Sequence, residues 1–168
     1  PQAVGFATVA LSTHTRSGEI APEDVSEYFE EIGAGMDVRA AFDALPGDPA
    51  MIRSYTKHTK TFLCVETCEL GATFAVEPVG QALEFVASPL SDRTFRLLWQ
   101  GEILPMHNVD IYSAGGDHES VRTNSDGLLE VNADWSGGIL MSAVWITLPD
   151  IPSGNYHSDQ ATLSVTLP

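Results

Sequence analysis

Residues 106–127, "MHNVDIYSAGGDHESVRTNSDG", hold two of the chain's five histidines, three of its aspartates and one of its four methionines. Imidazole nitrogen, thioether sulfur and carboxylate oxygen are donors that suit copper, nickel and cobalt ions. His107, His118 and the more distant His157 are therefore candidate metal ligands, with Met106 and Asp110 in support. Period-two alternation turns Val109 and Ile111 inward and Asn108, Asp110 and Tyr112 outward. In the next segment Val121 and Thr123 turn inward, with Ser120, Arg122 and Asn124 outward. Met106 and His118 then stand at strand ends on the same outer surface as Asp110. The same pattern also describes plain polar residues on a solvated sheet face, and Arg122 there opposes a cation. The register between the two strands decides between these readings.

Other chemistries fit less well. "NSDG" resembles the middle of a calcium loop, but Arg122 occupies the loop's first ligand position and Ala133 its last. His157, Ser158 and Asp159 are adjacent, whereas a catalytic triad converges from separate segments, and no G-x-S-x-G elbow is present. These residues point away from an enzyme. His58, between Lys57 and Lys60, reads as a solvated or helix-capping residue, and His14 as a loop residue. Tyr28, Tyr55, Trp99, Trp135 and Trp145 read as packing residues, with Trp135 the most exposed by context. Cys64 and Cys68, in "CVETC", are a disulfide candidate, with two free thiols or a metal or redox role as the alternatives; their spacing is not that of paired C-x-x-C zinc clusters.

Eight Lys plus Arg stand against 23 Asp plus Glu, a net charge of −15. Such a surface repels a phosphate backbone and an anionic bilayer alike, so nucleic acid is excluded as a partner. Apolar runs such as "GGILMSAVWITL" are too short for a helical membrane span. With 43% hydrophobic and 18% charged residues the chain is of globular type. It opens on Pro1 and enters a strand pattern at once, which suggests that a signal peptide or a further domain precedes it in the natural protein.

The elements that must hold the candidate ligands follow from periodicity. "AVGFATVALST" reads as a strand. In "IAPEDVSEYFEEIG" Pro22 suits a first helical turn, Gly33 an ending, and Val25, Tyr28, Phe29 and Ile32 form one apolar stripe. "MDVRAAFDAL" repeats that spacing with Val38, Ala41, Phe42 and Leu45. A third short helix is expected from Asp48 to about Thr56, turning Met51, Ile52 and Tyr55 inward. Beyond it, "TKTFLCVE", "ALEFVA", "TFRLLWQ", "NVDIYS", "ESVRTN", "LLEVNA", "ILMSAVWITL" and "QATLSVTL" are short strands separated by turn residues, with "NSDG" a hairpin signal. The expectation is a mainly β protein: an immunoglobulin-like or transthyretin-like β-sandwich preceded by about three short helices. "ILMSAVWITL" is apolar on both faces, so the helices or a dimer partner should cover its second face.

Several segments resemble a family of bacterial periplasmic proteins of unknown function whose members are described as periplasmic components of cobalt or nickel uptake. The likeness is carried by "IAPEDVSEYFEEIG", "RSYTKHTKTFLCV", "GQALEFVASP", "VRTNSDGLLEVNADWSGGILMSAVW" and "HSDQATLSVTLP", which span most of residues 20–168. The resemblance implies a carboxy-terminal portion of such a protein. Residues 1–20 would be a strand of an amino-terminal domain lying outside this chain, 21–58 a helical connecting segment and 59–168 a β-sandwich. It further implies a non-enzymatic periplasmic or secreted protein that binds or delivers a divalent transition metal ion as an accessory to uptake. Its partners would be a membrane transporter component or its own amino-terminal domain, without insertion into the bilayer. A structural or protein-interaction module with no small ligand, able to form a homodimer, is the alternative. The family's amino-terminal histidines have no counterpart here, and "CVETC" is not part of its pattern.

Overall fold

The computed structural model describes residues 5–65, 73–151 and 153–168. The chain is mainly β, with its strands in two sheets. In chain order the elements are β1 (Gly5–Ser12), β2 (Arg16–Ile20), a 3₁₀ turn (Pro22–Asp24), α1 (Val25–Glu31), α2 (Met36–Asp43) and β3 (Met51–Val65). A single helical turn α3 (Thr73–Val76) precedes β4 (Leu83–Ala87), β5 (Thr94–Trp99) and β6 (Glu102–Ile103). Then come β7 (Asn108–Ser113), β8 (His118–Arg122), β9 (Leu128–Glu130), β10 (Gly137–Thr147) and β11 (Tyr156–Leu167).

One sheet has seven strands in the order β1-β3-β11-β10-β7-β8, with β2 also paired to β3; the other has four, β4-β5-β6 with β9 on β5. Contacts divide the chain into two compact units. The first comprises residues 1–12, 58–143 and 161–168; the second comprises 13–57 and 144–160. Of the four boundaries, one follows β1 and the others fall inside β3, β10 and β11.

In the first unit β1 pairs antiparallel with the second half of β3, from Gly5↔Val65 to Ser12↔His58. Period-two burial holds where one face is solvated: in β7 Val109 and Ile111 are buried while Asn108 and Tyr112 are exposed. β4, "LEFVA", is buried at every position. Hydrogen bonds tie the loop that leads into β4 to the other sheet: the Gln81 side-chain amide donates to the carbonyls of Leu11 and Thr59.

The second unit is organised by its helices. Pro22 starts the helical segment, and Gly33 ends it at φ +61°, where the amide of Ala34 reaches back to the Phe29 carbonyl. The stripes expected on α1 and α2 meet in one core of Val25, Phe29, Val38 and Phe42 with Ile20, Met51 and Tyr156. Ile146 packs against it, so α1 and α2 cover the second face of β10 there. Leu140, in the first unit, stays 42% exposed, so the expected cover does not extend along the whole strand.

Three expectations are overturned. Residues 51–56 are not a third helix but the opening of the fifteen-residue strand β3, which pairs with β2 from Ile20↔Met51 to Arg16↔Tyr55. Met51 is buried as expected, but Ile52 is 53% exposed. Thr56, Thr59 and Thr61 resist a helix, and pairing along both halves of the strand outweighs the short helical spacing. The "NSDG" turn closes locally, with the Leu128 amide on the Asn124 side chain, but it joins no hairpin. Its flanking strands belong to different sheets, β8 pairing with β7 and β9 with β5. His58 is neither solvated nor a helix cap: it is 6% exposed within β3, its Nδ1 2.8 Å from the Ser12 hydroxyl.

Candidate functional site

The register of β7 with β8 pairs Asp110 with Ser120 and Tyr112 with His118. It places an imidazole one diagonal step from a carboxylate, on the outer face. His118 Nε2 lies 3.2 Å from Asp110 Oδ1, and the Ser120 hydroxyl donates to the same oxygen. The His118 ring stacks on Tyr112 with centroids 4.6 Å apart and planes 14° from parallel. His118 and Asp110 are 48% and 39% exposed. Solvent therefore reaches both groups, and their mutual attraction is that of a surface pair. On the same face the Arg122 Nε donates to the Asn108 side chain, one pair further along.

Two of the five candidate ligands thus meet, and the others stand elsewhere. Met106 and His107 continue the pairing at the opposite end of the hairpin, where the amide of His107 donates to the Thr123 hydroxyl and its carbonyl accepts from the Thr123 amide. Five strand steps of about 3.4 Å each put His107 roughly 17 Å along the ladder from Tyr112 and His118. One ion bound at about 2 Å cannot be shared across that span. Met106 is exposed and takes a left-handed backbone, φ 54°. His157 lies in the second unit, its Nδ1 2.8 Å from the Ser54 hydroxyl and its Nε2 3.4 Å from Asp159. Among the described residues no group of three or more His, Cys, Asp or Glu is disposed to hold a metal ion. Cys64 is exposed near the end of β3; Cys68 lies outside the described residues.

The polar centre that sequence reasoning missed is buried in the first unit. Lys60 of β3 and Glu84 of β4, 2% and 1% exposed, form an ion pair, and Lys60 also donates to the Phe85 carbonyl at 2.9 Å. Glu84 accepts from the backbone amides of Val79, Gly80 and Gln81 at 2.6, 3.0 and 3.0 Å. Desolvation pushes the Lys60 ammonium below its ordinary pKa of 10.5, against the opposing hydrogen bond and charge of Glu84. Every polar atom so described has a partner, as a low-dielectric interior requires. Lys60 belongs to "RSYTKHTK" and Glu84 to "GQALEFVASP". A lysine at an inward position of a strand, followed by a glutamate in an otherwise apolar one, was the available signal. No family model matches this chain, and no curated protein or solved structure is significantly similar to it.

Proposed function

We propose that the chain is a non-enzymatic, extracytoplasmic binding module built as an immunoglobulin-like or transthyretin-like β-sandwich, accessory to transition-metal uptake. The observation that carries this reading is the meeting of His118 and Asp110 on the outer face of β7 and β8. Nitrogen and carboxylate oxygen donors match nickel, cobalt or copper ions as cargo. Two donors fall short of the four that enclose a structural metal, so an ion held here would complete its shell with water or with a partner's ligands. Such open, two-point attachment suits handing an ion on rather than storing it. The net charge of −15 draws cations toward the surface as a whole. The Lys60–Glu84 pair, which links β3 of one sheet to β4 of the other, supports the sandwich.

The test is calorimetric titration of the metal-free chain with nickel chloride. His118→Ala is expected to abolish the strongest site, whereas His107→Ala and His157→Ala leave the isotherm unchanged. An isotherm indifferent to His118→Ala would remove the metal reading from this face.

A second reading, an interaction module with no small ligand, is favoured by β1. It ends the seven-stranded order, and no charge or proline interrupts Gly5–Ser12. Val9 and Leu11 are 47% and 62% exposed, and Leu63 of the paired strand is 49% exposed. These apolar side chains share one exposed sheet face, a surface that a second copy of the chain could cover. Wild-type protein is expected to sediment as a concentration-dependent dimer and the Val9→Lys/Leu11→Lys variant as a monomer. Identical sedimentation of the two proteins would rule this contact out.

A further inference from the structure

Alternation in the first half of β3 sets Arg53, Tyr55 and Lys57 on one face, and in β11 Ser158 and Gln160 on one face. On α1 and its C-cap, Tyr28, Glu31 and Ile32 share a face by their i, i+3, i+4 spacing. All of these, with Val144 of β10, line a cleft of about 310 Å³ inside the second unit. Arg53 sits at its chemical centre. Its guanidinium carbon is 4.9 Å from the ring centroids of both Tyr28 and Tyr55, so two aromatic faces fix the plane of the group. Lys57 Nζ stands 5.9 Å from the other partner of that sandwich, the Tyr55 ring.

The sequence has 23 acidic residues against 8 basic ones, yet among the described residues no carboxylate pairs with Arg53 or Lys57. Arg53 Nε is buried and has no hydrogen-bond partner. A desolvated guanidinium donor left unmade is costly, and buried polar groups are satisfied in the great majority of cases. Glu31 lines the same cleft but is exposed, so water screens its charge.

We propose that this cleft is a binding site for a small oxyanion, a carboxylate or phosphate group, held by Arg53 and Lys57, with the Ser158 hydroxyl and Gln160 amide as neutral donors. A guanidinium fork matches the two oxygens of either anion, and its orientation is fixed before the ligand arrives. Tyr28, Tyr55, Ile32 and Val144 offer the ligand's carbon skeleton an aromatic and aliphatic wall. The site is independent of His118 and Asp110, which lie in the first unit.

The experiment is a two-dimensional NMR titration of the whole chain with sodium phosphate and, separately, with sodium acetate, at constant ionic strength maintained with chloride. Saturable shifts of the Arg53 Nε–H and of the Tyr28 and Tyr55 amides are expected with at least one of the two anions. Saturation by phosphate alone assigns a phosphorylated ligand and saturation by acetate alone a carboxylate; either supports the site. Arg53→Gln should weaken the affinity about tenfold or more, while Arg122→Gln, on the other unit, leaves it unchanged. If Arg53→Gln fails to fold, Lys57→Gln serves in its place, with a smaller loss expected at the same resonances. Linear, unsaturating shifts with both anions overturn the proposal, as does an equal loss in Arg122→Gln.

Discussion

Lys60→Met is expected to lower the unfolding free energy by about 3 kcal/mol, the low end for breaking a buried ion pair from one side. Methionine refills the volume of the lysine stem but leaves Glu84 charged and 1% exposed. The three backbone amides of Val79, Gly80 and Gln81 still reach that carboxylate, which keeps the loss below the upper end of the range. Glu84→Gln removes the acceptor charge from the other side and strands the ammonium. Urea denaturation of both single variants and the double variant checks the pairing. The double loss should fall short of the sum by about 1–3 kcal/mol, since either change alone already breaks the contact. Simple additivity would mean that the pair carries no coupling.

The same lysine gives a pH signature whose sign is fixed. Its native pKa is below the unfolded 10.5, so over that interval the unfolded chain binds more protons than the native one. The Lys60 contribution to stability therefore rises with pH as the native group deprotonates, and it levels off above 10.5. Below the native pKa the desolvation penalty is present in full. The difference in stability between wild type and Lys60→Met should widen in favour of wild type on approach to pH 10.5.

What could be read from the chain was what depends on local period. Each of the eight segments with strand patterning contains a strand, though only the first half of "LLEVNA" belongs to β9, and the stripes of α1 and α2 face a shared core. Inward and outward sides of β7 and β8 were also legible, because Val109, Ile111 and Thr123 alternate with polar neighbours. Register was not legible. Nothing local to Asp110 or His118 says that they sit a diagonal apart, while His107 lies at the other end of the ladder. Long-range pairing was equally hidden. Met51, Ile52 and Tyr55 suit a short helix, and only their partners on β2 make them a strand. That one expectation concealed the Arg53 cleft. Read as a strand, "RSYTKHTK" places Arg53, Tyr55 and Lys57 along one line; read as a helix, it scatters them. It also made His58 look like a solvated helix end, when it is buried against Ser12.

Phe29→Ala is the second large effect expected, at about 3–4 kcal/mol for a buried phenylalanine emptied to alanine. Phe29 is 3% exposed, with its ring 5.7 Å from Phe42 in an edge-on arrangement and 6.1 Å from Tyr28. Phe42 in turn meets the buried Tyr156 at 5.9 Å, so the cavity opens at the middle of an aromatic chain. Met36→Ala, at an 88% exposed position of α2, is the control and should stay within about 0.5 kcal/mol. Amide exchange locates the loss. Protection should fall first in residues 16–57, where α1, α2 and β2 depend on this core, and later in β4, β5 and β7 of the other unit. Uniform loss of protection across both units would show that they open together and that the core of α1 and α2 is not a separate foldon. Because α1 carries Tyr28, one wall of the Arg53 pair of rings, a variant that loosens α1 should also weaken the anion titration. It would do so without touching the anion, which separates positioning of Arg53 from its charge.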